Sequence, residues 1–339
     1  MRLCVGQVLA MKSKCIGTLL SIGFSAGFPE LSRRELLGAS AALIYARGMG
    51  AQQAPTFTSE VKVVNIFGTV HDKHGGIVRD LKREDFTLLE NGKPQAIRYF
   101  ARESDLPLTV GLLVDTSLSQ RSVLENERGA SYRFLDQVLR EGKDHAVVVQ
   151  FDQAVVIRQG LTSSHKELQA ALELLDTPSA QEAAQGSGTW LYDAVRTASI
   201  QVMRGQQGRK AFIVLTDGVD EGSTVTLTDG IEAAQRANTL VYSILFSDEG
   251  YYGGRVFGPS GKGVLERLSR ETGARFYEVS KTQSIGQIFA SIEQELRSQY
   301  SLGFVSDQPV TTSGFRKIRL ATKQKGLIVQ ATDRYYAET

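Results

Sequence analysis

The stretch LLVDTSLSQRS, residues 112–122, ends an apolar run on a carboxylate, Asp115, and follows it at two-residue steps with the hydroxyls of Ser117 and Ser119. Two later segments carry oxygens of the same kind. SGTWLYDAV places Thr189 just ahead of a helical pattern, and VLTDG ends another apolar run at Asp217. Two carboxylates and three hydroxyls make an all-oxygen shell suited to a hard divalent cation. With few charged ligands and water filling the remaining positions, Mg²⁺ fits, with Mn²⁺ or Ca²⁺ as substitutes. Singly, each residue has a plainer use: Ser117, Ser119 or Thr189 could cap a following helix, and Asp217-Gly218 could be an ordinary turn. Together, three separate strand or helix ends agree, and the metal reading is favoured. Asp193, on the helix after Thr189, and Asp220, beyond the Asp217 turn, read as outer acids, with Asp220 the stronger source of negative potential.

These residues need elements that bring them to one edge. Between residues 106 and 295 the apolar strands LTVGLLVD, AVVVQFD, KAFIVLTD, LVYSILFS and ARFYEVS alternate with helical stretches such as SVLENERGASYRFLDQVLRE, TWLYDAVRTASIQVM, TDGIEAAQRA, GVLERLSRET and TQSIGQIFASIEQELR. Strict alternation implies an α/β fold with a doubly wound, mostly parallel sheet and helices on both faces. AVVIRQ, directly after AVVVQFDQ, reads as an antiparallel hairpin partner at the edge. In such sheets ligands sit beyond the carboxyl ends of the strands, where Asp115 falls. Two β-rich segments flank this region, 55–105 and 296–339. The first contains an Asn91-Gly92 hairpin turn between strand-like runs. Each alone has open edges and too little core, so the two are expected to pack as one small β-sandwich.

The set DTSLS, SGTWLYDAV and VLTDG, in this order and at these strand ends, resembles the metal-ion-dependent adhesion site of von Willebrand factor type A domains. Over about residues 60–337 the chain resembles the bacterial proteins related to that family, including its tail LRSQYSLGF, FRKIRL and RYYA. The resemblance implies that Asp115, Ser117, Ser119 and Thr189 ligate the cation directly or through water, and that Asp217 acts through a water. It also implies an open coordination position for an acidic residue of a partner protein, so that completing the shell is the binding event.

Composition sets the remaining bounds. With 42% hydrophobic and 22% charged residues the chain is an ordinary globular protein. Residues 1–54 hold six basic and two acidic residues; removing that +4 from a total of +2 leaves −2 for the remainder, which offers nucleic acid no concentrated basic face. Both cysteines, Cys4 and Cys15, lie in the same leader, so a product trimmed after it has no thiol chemistry. Arg33 and Arg34 precede a modest apolar run, Leu36 to Ala46, and resemble a twin-arginine export signal; the run falls short of the roughly 20 apolar residues of a membrane span. A periplasmic or extracellular protein is expected, touching the membrane only through an uncleaved leader. VFGPSGKG, residues 256–263, departs from a phosphate-binding loop at Val256 and Gly263 and reads as a flexible loop that, with Tyr251 and Tyr252, could shape a partner surface. The histidines His71, His74, His145 and His165 are scattered and read as solvated.

Three functions compete. The favoured one is a non-enzymatic, Mg²⁺-dependent protein-interaction module. A Mg²⁺-dependent hydrolase of the haloacid dehalogenase type would want a second acid where Ser117 stands and a lysine near a later acidic loop, whereas Lys210 lies at the wrong end of its strand. A scaffold with a purely structural metal is the third.

Overall fold

The computed structural model describes residues 63–102, 106–179, 181–182, 188–246, 261–308, 311 and 313–338. The leader, the export signal, and Tyr251 and Tyr252 lie outside the described residues.

The central sheet is the α/β sheet expected from the alternation. Its strands are β5 (Leu108–Asp115), β6 (His145–Phe151), β7 (Val155–Thr162), β8 (Arg209–Thr216), β9 (Leu240–Leu245) and β10 (Phe276–Glu278), in spatial order β10-β9-β8-β5-β6-β7. All neighbours pair in parallel except β7, which runs antiparallel to β6. From β5 the chain winds outward to β6 on one side, while β8 lies on the other. The strand order therefore reverses between β5 and β8, and their carboxyl ends are the place where sheets of this kind take ligands. The register sets Val114 opposite Leu215, which brings the ends of these two strands to one level.

Every residue of β5 and β8 is buried, because helices cover both faces. On one face Val110, Leu112 and Val114 pack with α1 (Leu124–Val138), α2 (His165–Glu173) and α6 (Ile285–Arg297). On the other, Leu113, Phe212 and Val214 pack with α3 (Leu191–Ala198), α4 (Leu227–Arg236) and α5 (Gly261–Thr272). Gly111 has a packing reason, since a methyl group there would stand 2.5 Å from the Phe212 ring. Helix α2 was not among the expected helices, although its start was legible: the Ser164 hydroxyl accepts from the Glu167 backbone N–H at 3.3 Å. Residues Gly261 to Gly263, expected in a flexible loop, open α5 instead.

The flanking segments form two more sheets. One is ordered β13 (Ile328–Ala331), β1 (Val64–His71), β11 (Tyr300–Phe304), β4 (Ile97–Arg102). The other is ordered β14 (Arg334–Ala337), β12 (Gly314–Thr322), β2 (Phe86–Glu90), β3 (Lys93–Gln95). Each mixes strands from before and after the central sheet, and they share a core of Ile66, Phe86, Leu88, Leu302, Phe304 and Ile318. This is the expected sandwich. Asn91 and Gly92 take φ of 49° and 82°, the left-handed values of a two-residue hairpin. His71 corrects the solvated reading. It is only 5% exposed, because β1 carries it to the inside, 3.9 Å from Glu295.

Glu90, fully buried at the end of β2, accepts from Ser306 Oγ at 2.6 Å, Arg316 Nη1 at 3.1 Å and the Tyr335 hydroxyl. It thereby ties the first β segment to three residues of the second. Removing one partner of a buried charge leaves the other uncompensated. Arg316→Met should lower stability by about 3 kcal/mol in urea unfolding; a loss below about 1 kcal/mol would show that this network does not hold the sandwich together.

Candidate metal centre at the carboxyl edge of the sheet

Asp115 is the last residue of β5 and is fully buried. Its Oδ1 accepts from the Ser117 backbone N–H at 2.9 Å, which turns the chain sharply off the strand. Its Oδ2 accepts from Thr216 Oγ1, at the end of β8, at 2.6 Å. The turn brings Ser117 Oγ to 3.1 Å from Ser119 Oγ, and Ser119 Oγ donates to Asp217 Oδ2 at 2.6 Å. Four of the five expected ligand residues are thus linked through side-chain oxygens and one backbone turn. The helix-cap alternative for the serines does not hold. The short 3-10 turn Leu118–Gln120 starts at Ser117 without a side-chain cap, and α1 starts beyond both serines, after Val123.

Thr189 reaches the same edge by its backbone. It exchanges two hydrogen bonds with Glu221, at 2.9 and 3.0 Å, on the loop that follows Asp217. The next residue, Trp190, donates its N–H to the Asp152 carbonyl at 2.8 Å, and Asp152 in turn accepts from Thr116 Oγ1 at 2.9 Å. Thr189 is 7% exposed. It is not a cap either, since α3 starts from Trp190 without a side-chain cap.

The outer acids fix the loop. Asp220 Oδ1 accepts from the Tyr192 N–H at 3.0 Å, at the start of α3, and from Ser223 Oγ at 2.7 Å. Asp193 accepts from the Thr224 N–H at 2.6 Å and from its hydroxyl at 3.0 Å. Beneath this, Gly218 takes φ of 79° and lies backbone to backbone against Gly261 at the start of α5; a methyl on either glycine would collide with the other segment. The Asp217 loop is therefore held from both sides.

Electrostatics follow from this geometry. Burial, reinforced by the nearby Asp217 charge, raises Asp115 from its ordinary 3.8 to about 7, against the opposing pull of its bonds to Ser117 and Thr216. Glu127, on α1, is also fully buried and is pushed up by burial and then by Asp115 and Asp217. Sequence reasoning missed it. The signal was an acid on the apolar stripe that also carries Leu124, Phe134, Leu135 and Val138. Among the described residues no group of three or more His, Cys, Asp or Glu stands at ligand spacing, so any cation here depends on the hydroxyls beside two carboxylates. That donor set, all oxygen and low in charge, fits Mg²⁺ chemically.

The sequence profile of the von Willebrand factor type A domain matches residues 110–291, more than half of the chain. Among curated proteins no match is found. Solved structures similar to the chain include BatB from Bacteroides thetaiotaomicron, with 18% identity, a TM-score of 0.43 and coverage of 56% of this chain and 97% of that one. The von Willebrand factor domain of the type V pili tip protein Mfa5 from Porphyromonas gingivalis shows 11% identity, a TM-score of 0.44 and coverage of 56% and 95%. Proximal thread matrix protein 1 from the mussel byssus, solved with a zinc-occupied adhesion motif, shows 15% identity, a TM-score of 0.48 and coverage of 62% and 50%. The doubly wound sheet, the matched span and the oxygen cluster at its carboxyl edge agree: the chain belongs to the von Willebrand factor type A domain family, a protein-interaction fold.

Proposed function

We propose that the protein is an exported, non-enzymatic interaction module that binds a partner protein through a Mg²⁺-dependent site formed by Asp115, Ser117, Ser119, Thr189 and Asp217. One observation carries the reading. Two buried carboxylates at adjacent strand ends are joined by a chain of hydrogen bonds that runs from Asp115 to the Ser117 N–H, between the Ser117 and Ser119 hydroxyls, and from Ser119 to Asp217. A bound Mg²⁺ would supply an electrophilic point able to accept a carboxylate oxygen from the partner. The chain's own part is to hold the ligands. Thr216 and the Ser117 N–H orient Asp115, the Val219 N–H orients Asp217 at 3.0 Å, and the Asp220 cap and the Gly218 contact fix the loop. The Arg33-Arg34 signal supports export, and no helix among the described residues is long and apolar enough to cross a membrane.

The hydrolase reading finds less support. Ser117 stands where a second acid would be needed, and Lys210, lowered to about 8 by burial, spends its ammonium on the Met203 and Gln206 carbonyls at the start of β8. A structural metal differs from the interaction reading in its test, since it would leave partner binding untouched once a folded Asp115 variant is in hand.

Calorimetric titration of Mg²⁺ into the metal-stripped chain should give saturable binding, abolished in Asp115→Ala with circular dichroism unchanged. Absence of binding in the parent protein would reduce the likeness to one of fold alone. The pH dependence has a definite sign. Asp115 must lose its proton to ligate, so Mg²⁺ binding should weaken by up to about tenfold per pH unit below about 7. In the metal-free protein the folded state holds a proton that the unfolded chain releases above about 4. Its stability should therefore fall as pH rises from about 4 to about 7, by an amount on the order of a few kcal/mol, and Asp115→Asn should flatten that slope in thermal unfolding.

A further inference from the structure

Glu127 has no role in the ligand set and no structural explanation. It lies on the buried face of α1, fully excluded from solvent, among Leu124, Ala130, Phe134 and Leu135, where an apolar side chain would pack at no polar cost. Neither of its carboxyl oxygens has a hydrogen-bond partner among the described residues. A buried acid kept for structure is normally paired, because leaving such a group unsatisfied costs roughly 1–3 kcal/mol, and more if it is charged. Two further oxygens nearby in the chain share this state. Ser131 Oγ, one turn along the same helix face, and Gln120 Oε1, in the site turn itself, are buried without partners, while Gln120 Nε2 approaches Ser119 Oγ at 3.4 Å. Glu127 also feels the charges of Asp115 and Asp217, the two acids of the proposed site, and both oppose its ionisation. Two like charges and no donor make this the wrong place for a carboxylate unless a cation stands near.

Building on the proposed Mg²⁺ site, we infer that Glu127 is a third, outer carboxylate of that site, acting on the cation from outside the ligand set. Its role is to supply charge. Asp115 and Asp217 neutralise a divalent cation, and an additional acid in the dry interior tightens the hold on the metal while lowering the pull on an incoming carboxylate. Glu127 then positions the balance between keeping the metal and binding the partner. The hydroxyl-rich ligand set keeps the cation electrophilic, and the buried acid behind it prevents its loss when the partner leaves.

The test is Mg²⁺ titration by calorimetry on the full chain and its Glu127→Gln and Glu127→Asp variants, with Asp115→Ala as the null and urea unfolding of each metal-free protein alongside. Glu127→Gln should bind Mg²⁺ about tenfold more weakly while remaining at least as stable without metal, and Glu127→Asp should stay within about threefold of the parent. Parent binding with Glu127→Gln unchanged within twofold overturns the inference and leaves the ligand site standing. Equal weakening in both variants, accompanied by equal loss of stability, also overturns it, because it assigns Glu127 to packing. Failure of the parent chain to bind Mg²⁺ overturns the site reading itself.

Discussion

Two carboxylates buried within reach of the same pair of serine hydroxyls are the constraint on which this sheet edge depends. Asp115 and Asp217 end or follow adjacent parallel strands, and the strand register that pairs Val114 with Leu215 brings them to the same edge of the sheet. Like charges in a dry setting repel, and the fold answers with donors. The Ser117 N–H and the Thr216 hydroxyl serve Asp115, and the Ser119 hydroxyl and the Val219 N–H serve Asp217. These donors lower the charge penalty without removing it, which is why Asp115 still holds a proton to about 7. A site arranged this way is strained in charge and rigid in geometry, the condition in which a small cation has most to offer.

The rigidity comes from what surrounds the loops. Helices on both faces bury β5 and β8 along their whole length, so the strand ends are fixed by a packed core. Loops that would otherwise move are pinned by local contacts: Asp220 at the start of α3, Asp193 on Thr224, and Gly218 against Gly261. The sandwich is built from both ends of the described chain and touches the helical layer through polar contacts that are only partly buried. Arg334 reaches Glu271 on α5 at 3.1 Å, and Gln235 on α4 reaches Asp333 at 3.3 Å. It supports the von Willebrand factor domain near the C-terminal ends of α4 and α5, with its own polar anchor at Glu90.

Much of this was legible because it is written in short periods. The apolar runs that became β5, β6, β8 and β9 are continuous, the signature of strands buried on both faces, and the Asn91-Gly92 pair announced its own turn. Oxygen-bearing residues at strand ends were legible for the same reason. What was lost depends on tertiary partners. His71 looks like a turn residue until β1 is seen to continue through it, and Gly261 looks like loop punctuation until its contact with Gly218 is known. Glu127 was hidden by a different effect: an acid within a helix of many charges draws no notice, and only the helix phase shows that it faces inward. The helix α2 is short, and its apolar positions Leu168, Ala171 and Leu172 span little more than one turn.

A crystal structure of the protein grown with Mn²⁺, phased on the metal's anomalous signal, would locate the cation. One strong peak is expected at the carboxyl edge of the sheet, with Asp115, Ser117 and Ser119 oxygens at about 2.0–2.3 Å and Thr189 and Asp217 facing it directly or through water. An edge without a peak while the serines and Asp217 keep their mutual hydrogen bonds, or a metal bound elsewhere, would contradict it.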